Sequence, residues 1–159
     1  MKACDVIIYT DGSSRGNPGP GGYGIIMEDC KSGFVKEYSK GFRYTTNNRM
    51  ELLAVIDALK MLKKNKLKVL IYTDSKYVVD SVEKKWVFKW KTTNFKNKKN
   101  VDLWLDFLKL FDKNTIKFNW IKGHNNHPQN EKCDKLAFDA SKSKNSSPDL
   151  EYEKINKPL

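Results

Sequence analysis

The first apolar run, "DVIIYTD" at residues 5–11, stops abruptly at an aspartate, and a second one, "LKVLIYTD" at 67–74, stops the same way. Short runs of this kind, rich in β-branched and aromatic residues, predict buried strands. Between them, "YGIIMED" and "FVKEYSKGF", joined by "DCKSG", predict two further strands, so that the first three form an antiparallel meander. From Asn47 the period becomes helical: Leu52, Val55, Ile56 and Leu59 recur at i, i+3, i+4 and i+7, one buried stripe on a helix over 47–62. "SKYVVDSV" opens another helix with Ser75 as its N-cap. "NVDLWLDFLKLF" at 100–111 is an amphipathic helix, and "TIKFNWIK" alternates as a fifth strand. Pro128 opens a last helix with Cys133, Leu136, Ala137 and Ala140 on one stripe.

This order predicts an α/β domain around a mixed five-stranded sheet with helices on both faces. A chain of 159 residues suits a single domain. We assign it to residues 1–142, with a protrusion at 84–99. Residues 143–159, rich in Ser, Lys, Asn and Pro and without periodicity, are expected to form a flexible C-terminal tail.

Six of the nine glycines fall within "IYTDGSSRGNPGPGGYG" at 8–24. A phosphate cradle is one reading of such a turn. The Gly-Lys-Ser/Thr that completes a phosphate loop is missing, which leaves a tight turn into the next strand. Lys and Arg number 30 against 19 Asp and Glu, a net charge of +11, which attracts polyanions, nucleic acid foremost. No apolar run approaches the ~20 residues that span a bilayer, and Met1–Asp5 lacks a secretory stretch. A soluble, cytoplasmic, monomeric protein that does not engage membranes is the expectation. Cys4, Cys30 and Cys133 are odd in number and widely spaced, which argues against a disulfide framework. His124, His127 and Cys133 lack the paired cysteines of a zinc finger.

The tetrapeptide "IYTD" occurs at 8–11 and at 71–74. A helical crossover between the two strands makes them parallel. If they are neighbours, the ~4.8 Å strand spacing sets Asp11 beside Asp74 at the carboxyl edge, where open α/β sheets bind ligands. Aspartate also ends strands as a turn former or helix cap, and for either residue alone that reading is as good. Glu51 lies in the first turn of the 47–62 helix and borders its buried stripe through Val55; a surface glutamate favoured by the helix N-terminus is the alternative. Asp134 flanks the stripe of the last helix. Gathered carboxylates suppress one another's ionisation. Divalent cations relieve this, and two of them ~3.5–4 Å apart can hold the attacking and leaving oxygens of a phosphodiester displacement.

In order, "YTDGSSRGNPGPGGYG", "TTNNRMELLA", "YTDSKYV", "NVDLW" and "KGHNNHPQNEKCDKLA" resemble ribonuclease H of the type 1, bacterial-like family, over about residues 5–140. The resemblance implies a ribonuclease H-like fold and an endonuclease that hydrolyses the RNA strand of RNA–DNA hybrids, leaving 3′-hydroxyl and 5′-phosphate ends. It implies two Mg²⁺ ions, with Mn²⁺ as a substitute, on Asp11, Glu51, Asp74 and Asp134. It puts the active-site histidine at His124 in "GHNNHPQN", a polar loop whose histidine suits proton movement or product release near neutral pH. His127, beside Pro128, is assigned to helix entry.

RNA-strand contacts fall by the same resemblance on Asn17, Asn47 and Asn48, with the 12–17 turn along the minor groove, where amides and backbone groups reach the 2′-hydroxyl. Thr46 and Asn100 match a pocket for a DNA-strand phosphate. "KKWVFKWKTTNFKNKK" at 84–99 interleaves seven lysines with four aromatics and resembles the family's DNA-gripping protrusion. Lys84, Lys85, Lys89 and Lys91 would meet phosphates there, with Trp86 and Trp90, one helical turn apart, presenting a shared surface. Packing of those aromatics into the core is the alternative. Three positions depart from the family pattern. Tyr44 stands where arginine is common, with Arg43 one residue earlier and so on the opposite face. Lys76, placed with the RNA-strand contacts, replaces a glutamine. The loop between Phe95 and Asn100 is short. A non-catalytic hybrid or double-stranded RNA binder and a DNA-cutting nuclease of the same fold are the rival readings.

Overall fold

The computed structural model describes residues 4–123 and 127–156. Five strands, β1 (Val6–Ser14), β2 (Gly19–Asp29), β3 (Val35–Thr45), β4 (Lys68–Thr73) and β5 (Thr115–Trp120), form one sheet in the order β3-β2-β1-β4-β5. The antiparallel meander is present, and β1 pairs in parallel with β4, Tyr9 opposite Tyr72. The helices are α1 (Asn47–Lys60), α2 (Lys76–Glu83), α3 (Trp86–Thr92), α4 (Val101–Phe111), α5 (Pro128–Ser141) and α6 (Leu150–Ile155). Among the described residues no helix is long and apolar enough to cross a membrane.

Local chemistry accounts for the helix starts. Thr46 caps α1 by accepting from the Arg49 N–H at 3.2 Å, and Ser75 caps α2 through the Val78 N–H. His127 caps α5, its Nδ1 accepting from the Asn130 N–H, with Pro128 in the first turn. Trp104, Tyr23, Phe107, Ile8 and Ile25 are fully buried between the sheet and α1 with α4.

The glycine cluster does more than turn the chain. β1 and β2 run almost into each other, and Gly21, Gly22 and Gly24 lie inside β2. Alternate faces of the strand receive different helices. A Cβ on Gly21 would crowd Met50 of α1, whereas one on Gly22 or Gly24 would lie 2.6 and 2.5 Å from the backbone oxygens of Ala137 and Cys133 in α5. Absent side chains there bring α5 down onto the sheet.

The segment beyond Ser141 differs from the expected tail. Ser147 bridges to Phe42, and α6 docks beside β3. Its anchor is Asp149, which accepts from Thr45 Oγ1 and from Arg49 Nε, each at 2.7 Å. Glu153 pairs with Arg43 at 2.8 Å, and Tyr152 tilts against Tyr44 at 5.5 Å between ring centroids. Such a short helix has little stability of its own, so these long-range contacts hold it.

Candidate active site

Extending the β1–β4 register by two residues sets Asp11 against Asp74 at the carboxyl ends of adjacent parallel strands. Glu51, expected in the first turn of its helix, follows just past it at the start of the second turn of α1, and one carboxylate oxygen of each of the three lies within 4.8 Å of the others. This approach depends on Gly12, because a Cβ there would stand 2.5 Å from the Glu51 backbone nitrogen. Asp134, one residue past the buried Cys133 on α5, is exposed and near enough to Asp11 to help raise its carboxyl. It borders the tight group of three.

Burial first, and the Asp74 charge second, push the Asp11 carboxyl up to about 8. Burial, then Asp11 and Asp74, raise Glu51 well above the carboxylate range. The Gly12 N–H, donating to Asp11 Oδ1 at 2.9 Å, only partly offsets this. Glu51 Oε1 is buried with no hydrogen-bond partner. Buried carboxylates with an orphaned oxygen match the donor set of a hard divalent cation, which supplies the missing positive charge. The residues therefore fit a hard divalent cation.

The rim of the cluster is built from the same sheet edge. Trp120 ends β5 opposite Thr73, donates its indole N–H to the Asp74 carbonyl at 3.0 Å, and carries Lys76 Nζ over its ring at 4.6 Å. Lys76 thus sits beside Asp74. Gly123 lies against Asp74, 3.1 Å separating its would-be Cβ from Oδ2. His124 falls outside the described residues.

On the side of β1 facing α1, the RNA-strand candidates come together. Asn17 Oδ1 accepts from the Asn47 N–H at 3.1 Å, and Asn47 Oδ1 accepts from the Ser14 N–H at 2.6 Å, fastening the 15–18 turn to the start of α1. Asn48 shares a cleft with Asn17, Thr46 and Asn100. Thr46 and Asn100 meet through Arg49: Thr46 takes its backbone N–H, and Asn100 Oδ1 accepts from Nη1 at 3.4 Å. Asn100 also donates to the Tyr77 hydroxyl at 3.1 Å.

The two tryptophans of α3 part company. Trp86 is 40 % exposed with Lys84 Nζ over its ring, whereas Trp90 is half-buried edge-on against Trp104. The expected shared surface is corrected to a single open ring, Trp86, because Phe88 and Trp90 pack toward α4. Lys84, Lys85, Lys89 and Lys91 are exposed around it.

Arg49, inside the "TTNNRMELLA" stretch, and Trp120, outside every such motif, were assigned no role from the sequence. Arg49 precedes Leu52 and Ile56 by three and seven residues and so falls on the buried stripe of α1, a position that for a charged residue demands partners. It finds them in Asp102 and Asp149 at 2.7 Å each. Trp120 had a weaker signal, the carboxyl end of a strand.

The sequence profile of the RNase H family matches residues 3–142. The chain is 53 % identical over 146 residues to the ribonuclease H of Desulforamulus reducens, covering 89 % of this chain and 90 % of that one. It is 47 % identical over 157 residues to the ribonuclease H of Trichodesmium erythraeum, covering 96 % and 98 %. Among solved structures, LC9-RNase H1, described as a type 1 RNase H with the type 2 active-site motif, superposes with a TM-score of 0.78 at 29 % identity, covering 100 % of this chain and 83 % of that one. LC11-RNase H1 in complex with an RNA/DNA hybrid superposes with a TM-score of 0.64 at 26 % identity, covering 85 % and 95 %.

Proposed function

The chain belongs to the ribonuclease H family and cleaves the RNA of RNA–DNA hybrids, and from that premise we propose that Asp11, Glu51, Asp74 and Asp134 are its metal-binding catalytic residues. The observation that carries this reading is the convergence of Asp11, Glu51 and Asp74 to within 4.8 Å, with an unpartnered Glu51 oxygen among them. Two bound Mg²⁺ ions would supply an activated water and stabilise the charge that develops on the cleaved phosphate.

The remaining work falls to the chain itself. Asp11 and Asp74 hold their carboxylates on adjacent strands, a rigid base against which substrate is placed. Asn17, Asn47, Asn48 and the backbone of residues 12–17, the end of β1 and the turn after it, select RNA by bonding the 2′-hydroxyl, which DNA lacks. Lys76 offers a cation to the RNA strand beside the scissile bond. Thr46 and Asn100 receive a DNA-strand phosphate, while Lys84, Lys85, Lys89 and Lys91 with Trp86 and the flank of Trp90 grip that strand further out. His124 moves a proton or assists product departure, and products carry 3′-hydroxyl and 5′-phosphate ends.

The test is cleavage of end-labelled RNA–DNA hybrid, duplex RNA and duplex DNA with Mg²⁺ and then with EDTA. Metal-dependent cleavage confined to the RNA of the hybrid, lost in Asp11→Asn, is expected. Turnover by Asp11→Asn equal to the parent would remove the carboxylates from the chemistry, and duplex DNA cut as fast as hybrid would reassign the substrate.

A further inference from the structure

At the far end of β1 from Asp11, the sulfurs of Cys4 and Cys30 lie 2.9 Å apart, and both residues are half-buried. Their backbones are held on either side. The Cys30 N–H donates to the Asp5 carbonyl at 2.9 Å, and the Asp5 N–H donates to the Lys68 carbonyl at 2.7 Å. Asp29 stiffens the turn that presents Cys30 by accepting from the Lys31 and Ser32 N–H groups at 2.8 and 3.1 Å. Two thiols from distant parts of the chain are thus set side by side by pairing of β1 with β2. Both line an open groove that also includes Lys31, Lys36, Lys63 and Lys64. Cations of that kind attract an anionic thiol reagent.

We propose that Cys4 and Cys30 form a reversible disulfide site, a modification site that staples the start of β1 to the end of β2. The oxidant is a low-molecular-weight disulfide. One cysteine thiolate attacks a sulfur of the reagent, whose S–S bond breaks to release a first thiolate, and a mixed disulfide forms on the protein. The second cysteine then attacks the protein-bound sulfur, forms the Cys4–Cys30 bond and expels the second thiolate. Two protein thiols lose two protons and two electrons, and the reagent is reduced to two thiols. The sulfurs close from 2.9 Å to about 2.05 Å. Cys133 does not compete: it is fully buried on the face of α5 that meets β1, bonds the Tyr9 carbonyl, and burial pushes its thiol well above the usual range.

The staple constrains the unfolded chain and leaves the active site alone, since the seven residues from Cys4 to Asp11 span roughly 23 Å of strand. The experiment treats the full chain with glutathione disulfide. The expected product has lost about 2 Da, yields a linked Cys4–Cys30 peptide, and reverts with dithiothreitol. Its melting temperature rises by about 5–10 °C, with hybrid cleavage unchanged. Cys30→Ser is expected instead to retain a glutathione adduct on Cys4. Persistent adducts on both cysteines of the parent chain, a disulfide-linked dimer, or three unmodified thiols would each overturn the proposal.

Discussion

Gly12 and Glu51 are in backbone contact: a Cβ on Gly12 would stand 2.5 Å from the Glu51 nitrogen and 2.5 Å from the carbonyl carbon of Met50. The absent side chain lets α1 close onto β1 and delivers Glu51 to Asp11. Gly12→Ala must push the helix outward against a packed core, costing about 1–3 kcal/mol. Urea melts should show that loss, and a magnesium titration of cleavage should shift to higher concentration. An unchanged magnesium midpoint would mean that Glu51 reaches the site without that approach.

Removing the cation leaves three gathered carboxylates to repel one another, so EDTA should lower the melting temperature and Mg²⁺ should restore it. Asp11→Asn deletes one of the charges. It should lower hybrid cleavage by roughly three orders of magnitude, several kcal/mol of barrier, while hybrid binding stays near the parent's. Its EDTA-treated form should melt above the EDTA-treated parent. Paired activity, binding and melting measurements check all three.

Burial raises the Asp102 carboxyl, but the hydrogen bonds and charge of Arg49 more than reverse this and hold it below the usual range. A group with a depressed folded-state pKa stabilises the fold above its unfolded value, near 4, and loses that contribution as pH falls through the folded value. Asp102→Asn should therefore cost about 1–3 kcal/mol at pH 7. The gap to the parent should narrow below about pH 4. Urea denaturation from pH 7 down to pH 2 tests the sign, and an equal gap at both ends would exclude the Arg49 pairing as its cause.

Exposed lysines on and before α3 are expected to contribute to hybrid binding through released counterions. Replacing Lys84, Lys85, Lys89 and Lys91 with Gln should weaken binding and reduce the slope of log affinity against log salt by about one for every phosphate that is no longer neutralised. The rate of cleavage at saturating hybrid should change little. A slope equal to the parent's would detach this surface from the substrate.

How much of this was legible varies residue by residue. Ser75 as a cap, the α1 stripe and the parallel pairing of the two "IYTD" strands were all readable, because each depends on local spacing or on one crossover. Asp11 beside Asp74 followed from the repeat. Arg49, by contrast, falls on the buried stripe of α1 with no partner nearby in the sequence. Its partner Asp149 lies 100 residues away in a segment without periodicity, so no window of sequence contained the pair. Trp90 was similarly opaque: its turn of lysines and aromatics suits an open face, and only the position of Trp104 on α4 draws the ring inward.

By itself, then, the sequence determined the order of the five strands, the main helices up to Ser141, the net positive charge and the pairing of Asp11 with Asp74, since hydrophobic period, charge and motif are written in neighbouring residues. The tertiary structure alone decided what depends on two distant surfaces meeting. It turned the glycines of β2 into the seat of α5 and of α1, folded the end of the chain back onto Arg49, and brought the Cys4 and Cys30 sulfurs together. Close approach and buried ion pairing are set by the atoms opposite, and those are known only once the chain has closed on itself.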